Sequence, residues 1–503
     1  MSENFYAALE RSFADNAART ALETPTGLYF TYADVHREIA RCAALLHSGG
    51  LARGDRVVVQ AEKSPQSLFL YLACLRAGAV YVPLNTAYQL AELAYFLSDA
   101  RPSLIVVGTA AETGVRELAR QQALEARIFT LDADGTGSLW QTAQSRGANQ
   151  HAADAEPDDV AVIIYTSGTT GRSKGAMLTH RNLLSNALAL IDCWQFSRED
   201  VLLHALPIFH VHGLFVANHC ALLSGARMLW HAKFDADAVL NDLPRATVMM
   251  GVPTFYTRLL AQHRFGRQTC ESVRLFISGS APLLLETFEQ FHERTGHTIL
   301  ERYGMSEAGM IASNPLRGER RGGTVGFPLP GISVRIADAS DEPLPADQIG
   351  AIQVRGENVF AGYWQNPQKT QEEFTADGWF RTGDIGVLSA DGYLSIVGRA
   401  KDLIITGGYN VYPKEIELVL DAMPGVRESA VVGLPHPDFG EAVTAVVVLD
   451  GPHARLDEAA VLTHLKTQLA NYKVPKRIHF VPDLPRNAMG KVQKNVLREQ
   501  FAA

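Results

Sequence analysis

The sequence predicts an α/β protein. A large N-terminal domain of parallel-sheet layers carries a small β-barrel-like subdomain and is followed by a small α+β C-terminal domain. Three observations lead there. Over the first three hundred or so residues, short apolar runs alternate with helix-length amphipathic stretches, the grammar of parallel strands covered by helices. From about Gly322 the strands shorten and are separated by Gly and Pro turns. Beyond a polar, glycine-containing segment at residues 398–402, helices and strands mix. The domain boundary is placed there, giving domains 1–400 and 401–503. A chain of 503 residues with 47% apolar content is long enough for several units and a large core.

The elements follow in order. Thr31 opens a helical pattern through Ile39, Ala43, Leu45 and Leu46. Residues 56–59 read as a buried strand, 66–77 as a helix ended by Gly78, and 79–85 as a strand stopped at Pro83. Residues 110–158 are polar and give no clear pattern. An apolar strand at 160–164 leads into a loop, after which Thr179 can cap a helix with Leu183, Leu184, Ala187, Leu188 and Ile191 on one face. Strands at 247–250 and 273–277 each turn into a helix. In parallel sheets, ligands sit beyond the carboxyl ends of such strands. Later strands are expected at 334–336, 351–354 and 385–396, the last around the hairpin signal Asp391-Gly392. The C-terminal part should hold helices at 415–420 and 458–469 and strands at 430–434, 443–449 and 477–481.

Composition narrows the function classes. A net charge of −8 gives no electrostatic case for nucleic acid or an anionic membrane, so any anion site is local. No basic start with an apolar core marks a signal peptide, and no run of about 18 apolar residues spans a bilayer. The cysteines Cys42, Cys74, Cys193, Cys220 and Cys270 are odd in number and lack metal-ligand spacing. They fit free thiols in a reducing cytoplasm.

The chemistry centres on Tyr165-Thr166-Ser167-Gly168-Thr169-Thr170-Gly171-Arg172-Ser173-Lys174-Gly175. Glycine-exposed N–H groups, hydroxyls and two cations suit a polyanion such as nucleotide phosphates. The common P-loop is excluded, since it needs Gly directly before Lys and Ser/Thr directly after. The string instead resembles the phosphate loop of the acyl-adenylate-forming superfamily, which includes acyl-CoA synthetases. Four further segments extend that resemblance in the family's order from residue 165 to 491. They are Glu301-Arg302-Tyr303-Gly304-Met305-Ser306-Glu307, Trp379-Phe380-Arg381-Thr382-Gly383-Asp384, Gly398-Arg399-Ala400-Lys401-Asp402 and Pro485-Arg486-Asn487-Ala488-Met489-Gly490-Lys491.

The resemblance implies roles residue by residue. Thr166, Ser167, Gly168, Thr169, Thr170, Gly171 and Lys174 would hold phosphates. Gly279, Ser280, Ala281, Glu301 and Tyr303 would line the adenylate site, with Tyr303 stacking on adenine. Ser306 would touch phosphate, Glu307 with Thr166 would hold Mg²⁺, and Asp384 and Arg399 would meet the ribose. Lys401 would be the interdomain hinge and Lys491 the catalytic lysine. ATP and CoA are the implied co-substrates. Gly407, Gly408 and Tyr409 resemble the loop lining the CoA tunnel, although the glycines also suit a plain turn. Lys473 and Lys476 either pair with CoA phosphates or are simply solvated.

The acid pocket is expected around His204-Ala205-Leu206-Pro207-Ile208-Phe209-His210-Val211-His212-Gly213, where the family places a histidine or aromatic beside the substrate carboxylate; position favours His210 over His212. Arg302 needs an anion when buried. That anion is either Glu301 or Glu307, or a second carboxylate of the substrate. The whole chain is similar to the malonyl-CoA synthetases. This implies malonate + ATP + CoA giving malonyl-CoA, AMP and pyrophosphate through a malonyl-adenylate, with methylmalonate or another short acid as the alternative. Two rivals are an adenylation protein that loads a carrier domain, which no segment here supplies, and a nucleotide sensor, which would not need Lys491.

Overall fold

The computed structural model describes residues 4–148, 152–166, 173–406, 409–436, 439–451, 456–487 and 489–502. Two sheets carry the N-terminal part. The first has nine strands, with Thr20–Glu23, Arg227–Trp230, Val201–His204, Val248–Gly251, Leu275–Ser278 and Leu300–Met305 running parallel in that spatial order. Antiparallel strands close both edges: Tyr29–Thr31 at one, Gly309–Ser313 and Phe327–Pro328 at the other. The second sheet has seven strands. Val80–Pro83, Arg56–Gln60, Leu104–Val107 and Arg127–Thr130 are parallel, and Val160–Thr166 pairs parallel with Val80–Pro83.

The parallel strands are buried on both faces, as Leu202, Leu203, Met249, Phe276 and Ile277 illustrate. The helix Pro65–Ala77 is buried at every residue but Gln66, so it runs through the interior rather than over the surface. Ser64 and Ser67 form its capping box and Gly78, at φ +69°, its left-handed end. One contiguous core joins these layers, and Met489 from near the C-terminus is buried in it.

A four-stranded antiparallel sheet of Ile332–Ala337, Ile349–Gly356, Phe380–Leu388 and Leu394–Arg399 occupies the Gly/Pro-punctuated segment. After the short 3₁₀ turn Ala400–Asp402, a fourth sheet forms around the long hairpin Val426–His436 and Gly440–Leu449. Tyr409–Val411, Ile404–Thr406 and the parallel strand Arg477–Phe480 complete it. Its two faces bury separate clusters, one with Ile416, Leu420 and Val461, the other with Leu484 and Leu497.

Two sequence readings differ from this. The stretch Lys174–Thr179, read as part of a loop leading to the helix, is a strand pairing antiparallel with Val160–Thr166. The helix His180–Trp194 does begin at the Thr179 cap, but the phosphate loop closes a hairpin rather than a strand–helix turn. Residues 110–158, which lacked a readable pattern, hold the helices Glu112–Gln121 and Ser138–Gln144 and the edge strand Arg127–Thr130. Edge position explains the weak signal, since that strand is mostly half-exposed.

Candidate active site

The carboxyl ends of both parallel sheets open toward one region. At the phosphate hairpin, Thr166 and Lys174 face each other across the last ladder rung. Ser167, Gly168, Thr169, Thr170 and Gly171, the centre of the expected phosphate loop, lie outside the described residues, as does Arg172. The Thr166 hydroxyl donates to Glu307 Oε1 at 3.3 Å, and the Tyr363 hydroxyl reaches the same oxygen at 3.2 Å. Burial raises the Glu307 carboxyl above its ordinary pKa. Lys174 lies over the Tyr363 ring at 5.0 Å and 3.8 Å from Glu373, and burial lowers its pKa. Sequence reading does not single out Tyr363; it arrives on the two-residue strand Gly362–Tyr363, whose pairing with Lys174–Thr179 no local pattern announces.

A second group stands at the edge of the four-stranded sheet. Asp384 and Arg399 are cross-strand partners, which brings Arg399 Nε to 2.6 Å from Asp384 Oδ1. The Tyr303 hydroxyl donates to the other carboxylate oxygen. Ser306 sits half-buried in the turn between Leu300–Met305 and Gly309–Ser313. Lys491, exposed to solvent, lies within electrostatic reach of this group. Crowding by protein and the like charges of Arg399 and Lys401 push its ammonium down to about 8, against the pull of Asp384 and Asp402. Its loop is set by Asn487, which accepts from the Lys491 and Met489 backbone N–H groups. Lys494, the other lysine nearby, donates to Glu417 at 2.6 Å.

The third group surrounds Arg302. Its guanidinium is buried against Gly279, where a Cβ would fall 2.4 Å from Arg302 Cζ. It makes no ion pair with any described residue, and Nε and Nη2 lack hydrogen-bond partners. Desolvation lowers its pKa to about 10, so it stays charged at neutral pH. Neither Glu301 nor Glu307 is its partner. Glu301 instead accepts from the Leu283 N–H at 3.2 Å, with Oε2 unpartnered, and burial pushes its carboxyl up to about 7. His212 is buried, its Nδ1 3.3 Å from the Ser280 hydroxyl and its Nε2 without a partner, and the charge of Arg302 nearby helps keep it neutral. Ser280 adopts φ +73°, an uncommon backbone for a residue with a side chain. Ala281 follows it, half-buried. His210 is half-buried against Phe209 with its pKa lowered to about 4 by burial. Both histidines therefore act as neutral hydrogen-bonding groups, and His212 has the tighter connection to Arg302 and Ser280.

Elsewhere, Tyr409 is exposed and stacks on Tyr472 with ring centroids 4.7 Å apart. Gly407 and Gly408 lie outside the described residues. Lys473 is paired with Glu415 and Lys476 lies over Phe439. Lys401 is exposed within the Ala400–Asp402 turn. Among the described residues, no group of three or more His, Cys, Asp or Glu side chains gathers to hold a metal, and no helix is long and apolar enough to cross a membrane. The Glu307 carboxylate with the Thr166 hydroxyl offers hard oxygen donors, which fits Mg²⁺ completed by phosphate oxygens.

A cationic hairpin mouth, a Tyr–Asp–Arg group with a lysine poised over it and a buried unpaired guanidinium converge here, the layout of an enzyme that activates an acid by adenylation. The comparisons agree. The AMP-binding enzyme pattern matches residues 9–364 and that of the AMP-binding enzyme C-terminal domain matches residues 415–491. The chain belongs to that family. It is similar to a crystal structure of ATP-bound MatB from Rhodopseudomonas palustris, at 52% identity and a TM-score of 0.97, covering 100% of this chain and 99% of that one. A mitochondrial malonate–CoA ligase of Mus musculus is 39% identical over 84% of this chain and 78% of its own length. A feruloyl-CoA synthase of an Amycolatopsis species is 37% identical over 94% of both.

Proposed function

We propose that this protein is an ATP-dependent malonate–CoA ligase, converting malonate, ATP and CoA into malonyl-CoA, AMP and pyrophosphate through a malonyl-adenylate. The observation that carries the reading is Arg302. A buried guanidinium with two unpartnered nitrogens, and with Glu301 near enough to feel its charge but not ion-paired to it, is a receptor for an anionic substrate group, and its planar fork suits a carboxylate. The likeness to the malonate–CoA ligase of Mus musculus supports the same choice of acid. A feruloyl group, a bulky aromatic with no second anion, would leave Arg302 unpaired.

The roles follow from the chemistry. A carboxylate attacking the α-phosphate brings two anions together, and charge grows on the phosphorus oxygens. Fixed cations and N–H donors in a dry site oppose that repulsion. Lys491 supplies the ammonium, and Thr166, Lys174 and residues 167–171 hold the phosphates. Asp384 and Arg399 orient the ribose and Tyr303 stacks on adenine. Gly279, Ser280, Ala281 and Glu301 wall the adenylate, and Ser306 touches phosphate. Arg302 takes the distal carboxylate while His210 and His212 donate to the reacting end. Mg²⁺, held by Glu307 and Thr166 with phosphate oxygens, would neutralise phosphate charge. Thioester formation then needs the 401–503 domain, taken as mobile, to turn about Lys401 and bring the loop at Gly407, Gly408 and Tyr409 to the adenylate. The position of Lys491 beside Asp384 and Arg399, with Tyr409 exposed, supports adenylation as the arrangement seen here.

The test is AMP release with CoA over malonate, methylmalonate, propionate, butyrate and ferulate. Malonate is expected to give the highest kcat/KM; a preference for any monoacid would overturn the assignment. Methylmalonate, which keeps both carboxylates, is the second reading, and its ranking against malonate comes from the same panel.

A further inference from the structure

Lys63 is 5% exposed and has no acidic partner among the described residues. It follows the strand Arg56–Gln60 of the second sheet and directly precedes Ser64, the cap of the helix Pro65–Ala77. Its Nζ donates to the carbonyls of His204 (2.8 Å) and Leu206 (2.9 Å) and lies 3.1 Å from His204 Nδ1. The Trp230 ring covers it at 4.3 Å. His204 Nε2 is 3.1 Å from the Gly213 carbonyl. A carbonyl only accepts, so Nε2 carries the ring proton and Nδ1 is an acceptor. Nζ therefore faces three acceptors, which match the three donors of an ammonium. Burial pulls the Lys63 pKa well below the ordinary lysine value, yet a neutral amine would leave one acceptor unmet.

The atoms held in this way are the two ends of one loop. The carbonyls of His204 and Leu206 lie where the chain leaves the strand Val201–His204, and Gly213 lies where it enters the π-helical turn His212–Ala217. Between them stand His210 and His212. Gly213 adds a second clasp, since a Cβ there would fall 2.0 Å from the Pro207 carbonyl oxygen. By contrast Arg274, which directly precedes the strand Leu275–Ser278 of the first sheet, is neutralised by Asp200. Lys63 is different: a cation taken from one sheet to fix a loop of the other.

We propose that Lys63 is a positioning residue for acid binding, clasping residues 204–213 through its three hydrogen bonds so that His210 and His212 face the acid held by Arg302. This rests on the acid pocket assigned under the proposed function. The clasp acts on the acid side of the site; the Tyr303, Asp384 and Arg399 group comes from other elements.

The experiment measures acid-dependent ATP–pyrophosphate exchange in the full chain for wild type, Lys63→Met and His204→Asn, alongside thermal melting. His204→Asn leaves Lys63 an acceptor at the Nδ1 position and removes the link to Gly213 together with the ring's contact with Trp230. Lys63→Met is expected to raise the KM for malonate roughly ten- to a hundredfold, the scale of lost charge-assisted hydrogen bonds, with the KM for ATP within about twofold. His204→Asn is expected to give the same split with a smaller rise, and it keeps the proposal testable if Lys63→Met does not fold. A lowered melting temperature with both KM values unchanged, or equal shifts in the two, would overturn it. Wild type without malonate activity would instead sink the malonate reading; the split is then measured with the short acid that wild type does use.

Discussion

On the proposed reading Arg302 is the main determinant of substrate choice, because a dianion entering a dry pocket must pair both charges. Losing one partner of a buried pair costs ~3–5 kcal/mol, so Arg302→Leu should lower kcat/KM for malonate by roughly a hundredfold to a few thousandfold. The same change leaves an apolar wall, and butyrate should lose far less. Equal losses for malonate and butyrate would assign Arg302 to ATP or the fold. The residue was legible in the sequence as an Arg beside Tyr303, the residue expected to stack on adenine, but its partner was not. Only the structure separates it from Glu301 and Glu307, because the backbone N–H that occupies Glu301 comes from Leu283 on another segment. Lys491 makes a second prediction at this scale. Its ammonium, pushed down to about 8, is present below that pH and is lost as pH rises through it. The kcat/KM for pyrophosphate exchange should therefore fall on the basic side near pH 8. Lys491→Arg, which stays charged, should retain less activity but lose that basic limb; a limb unchanged in Lys491→Arg would mean another group titrates.

At the scale of elements, the site is made by loops at the carboxyl ends of parallel strands, and those strands were readable as apolar runs. Residues 273–277 were expected as a strand turning through 278–282; the strand found, Leu275–Ser278, is followed by Gly279, and the neighbouring strand Leu300–Met305 places the Arg302 guanidinium against that residue without a Cβ. Gly279→Ala puts a methyl 2.4 Å from Arg302 Cζ, so the guanidinium must move. Overpacking of this kind costs about 1–3 kcal/mol. Malonate kcat/KM should fall by roughly ten- to a hundredfold on that scale, more than the change in ATP KM or melting temperature would suggest. Loss of ATP affinity alone would mean that Gly279 serves the nucleotide. The phosphate hairpin shows the opposite case. Residues 174–179 carry a motif lysine at their head and a helix cap at their tail, and both signals hid the strand between them. Its partner Gly362–Tyr363 is nearly two hundred residues away, beyond the reach of local pattern.

For the whole molecule, the question is how one site serves two half-reactions. Lys491 and Tyr409 both belong to the C-terminal part, yet Lys491 feels the charges of Asp384 and Arg399 while Tyr409 is exposed and stacked on Tyr472. On the proposed mechanism, bringing the 406–410 loop to the adenylate means removing Lys491 and turning the region. The covalent link is the 3₁₀ turn Ala400–Asp402, bounded by Arg399 on Asp384 and by Asp402 on Arg498 at 2.7 Å. Met489 buried in the large core and Gly490 against Thr254 are among the contacts such a turn would break. Lys401 is exposed and supplies none of these contacts, so a change there acts on the backbone. Lys401→Pro fixes φ near the value of a 3₁₀ turn, so it suits the arrangement seen here and resists rotation out of it. A proline at 401 also disfavours a helical Ala400, which taxes the same arrangement to a lesser degree. Malonate-dependent pyrophosphate exchange should therefore survive in Lys401→Pro. Transfer from supplied malonyl-adenylate to CoA should fall by at least about a hundredfold more than exchange does, the size of effect expected when a gating motion is blocked. Equal loss in both half-reactions, with an unchanged melting temperature, would mean that the turn is only a connector and that the two steps share one arrangement.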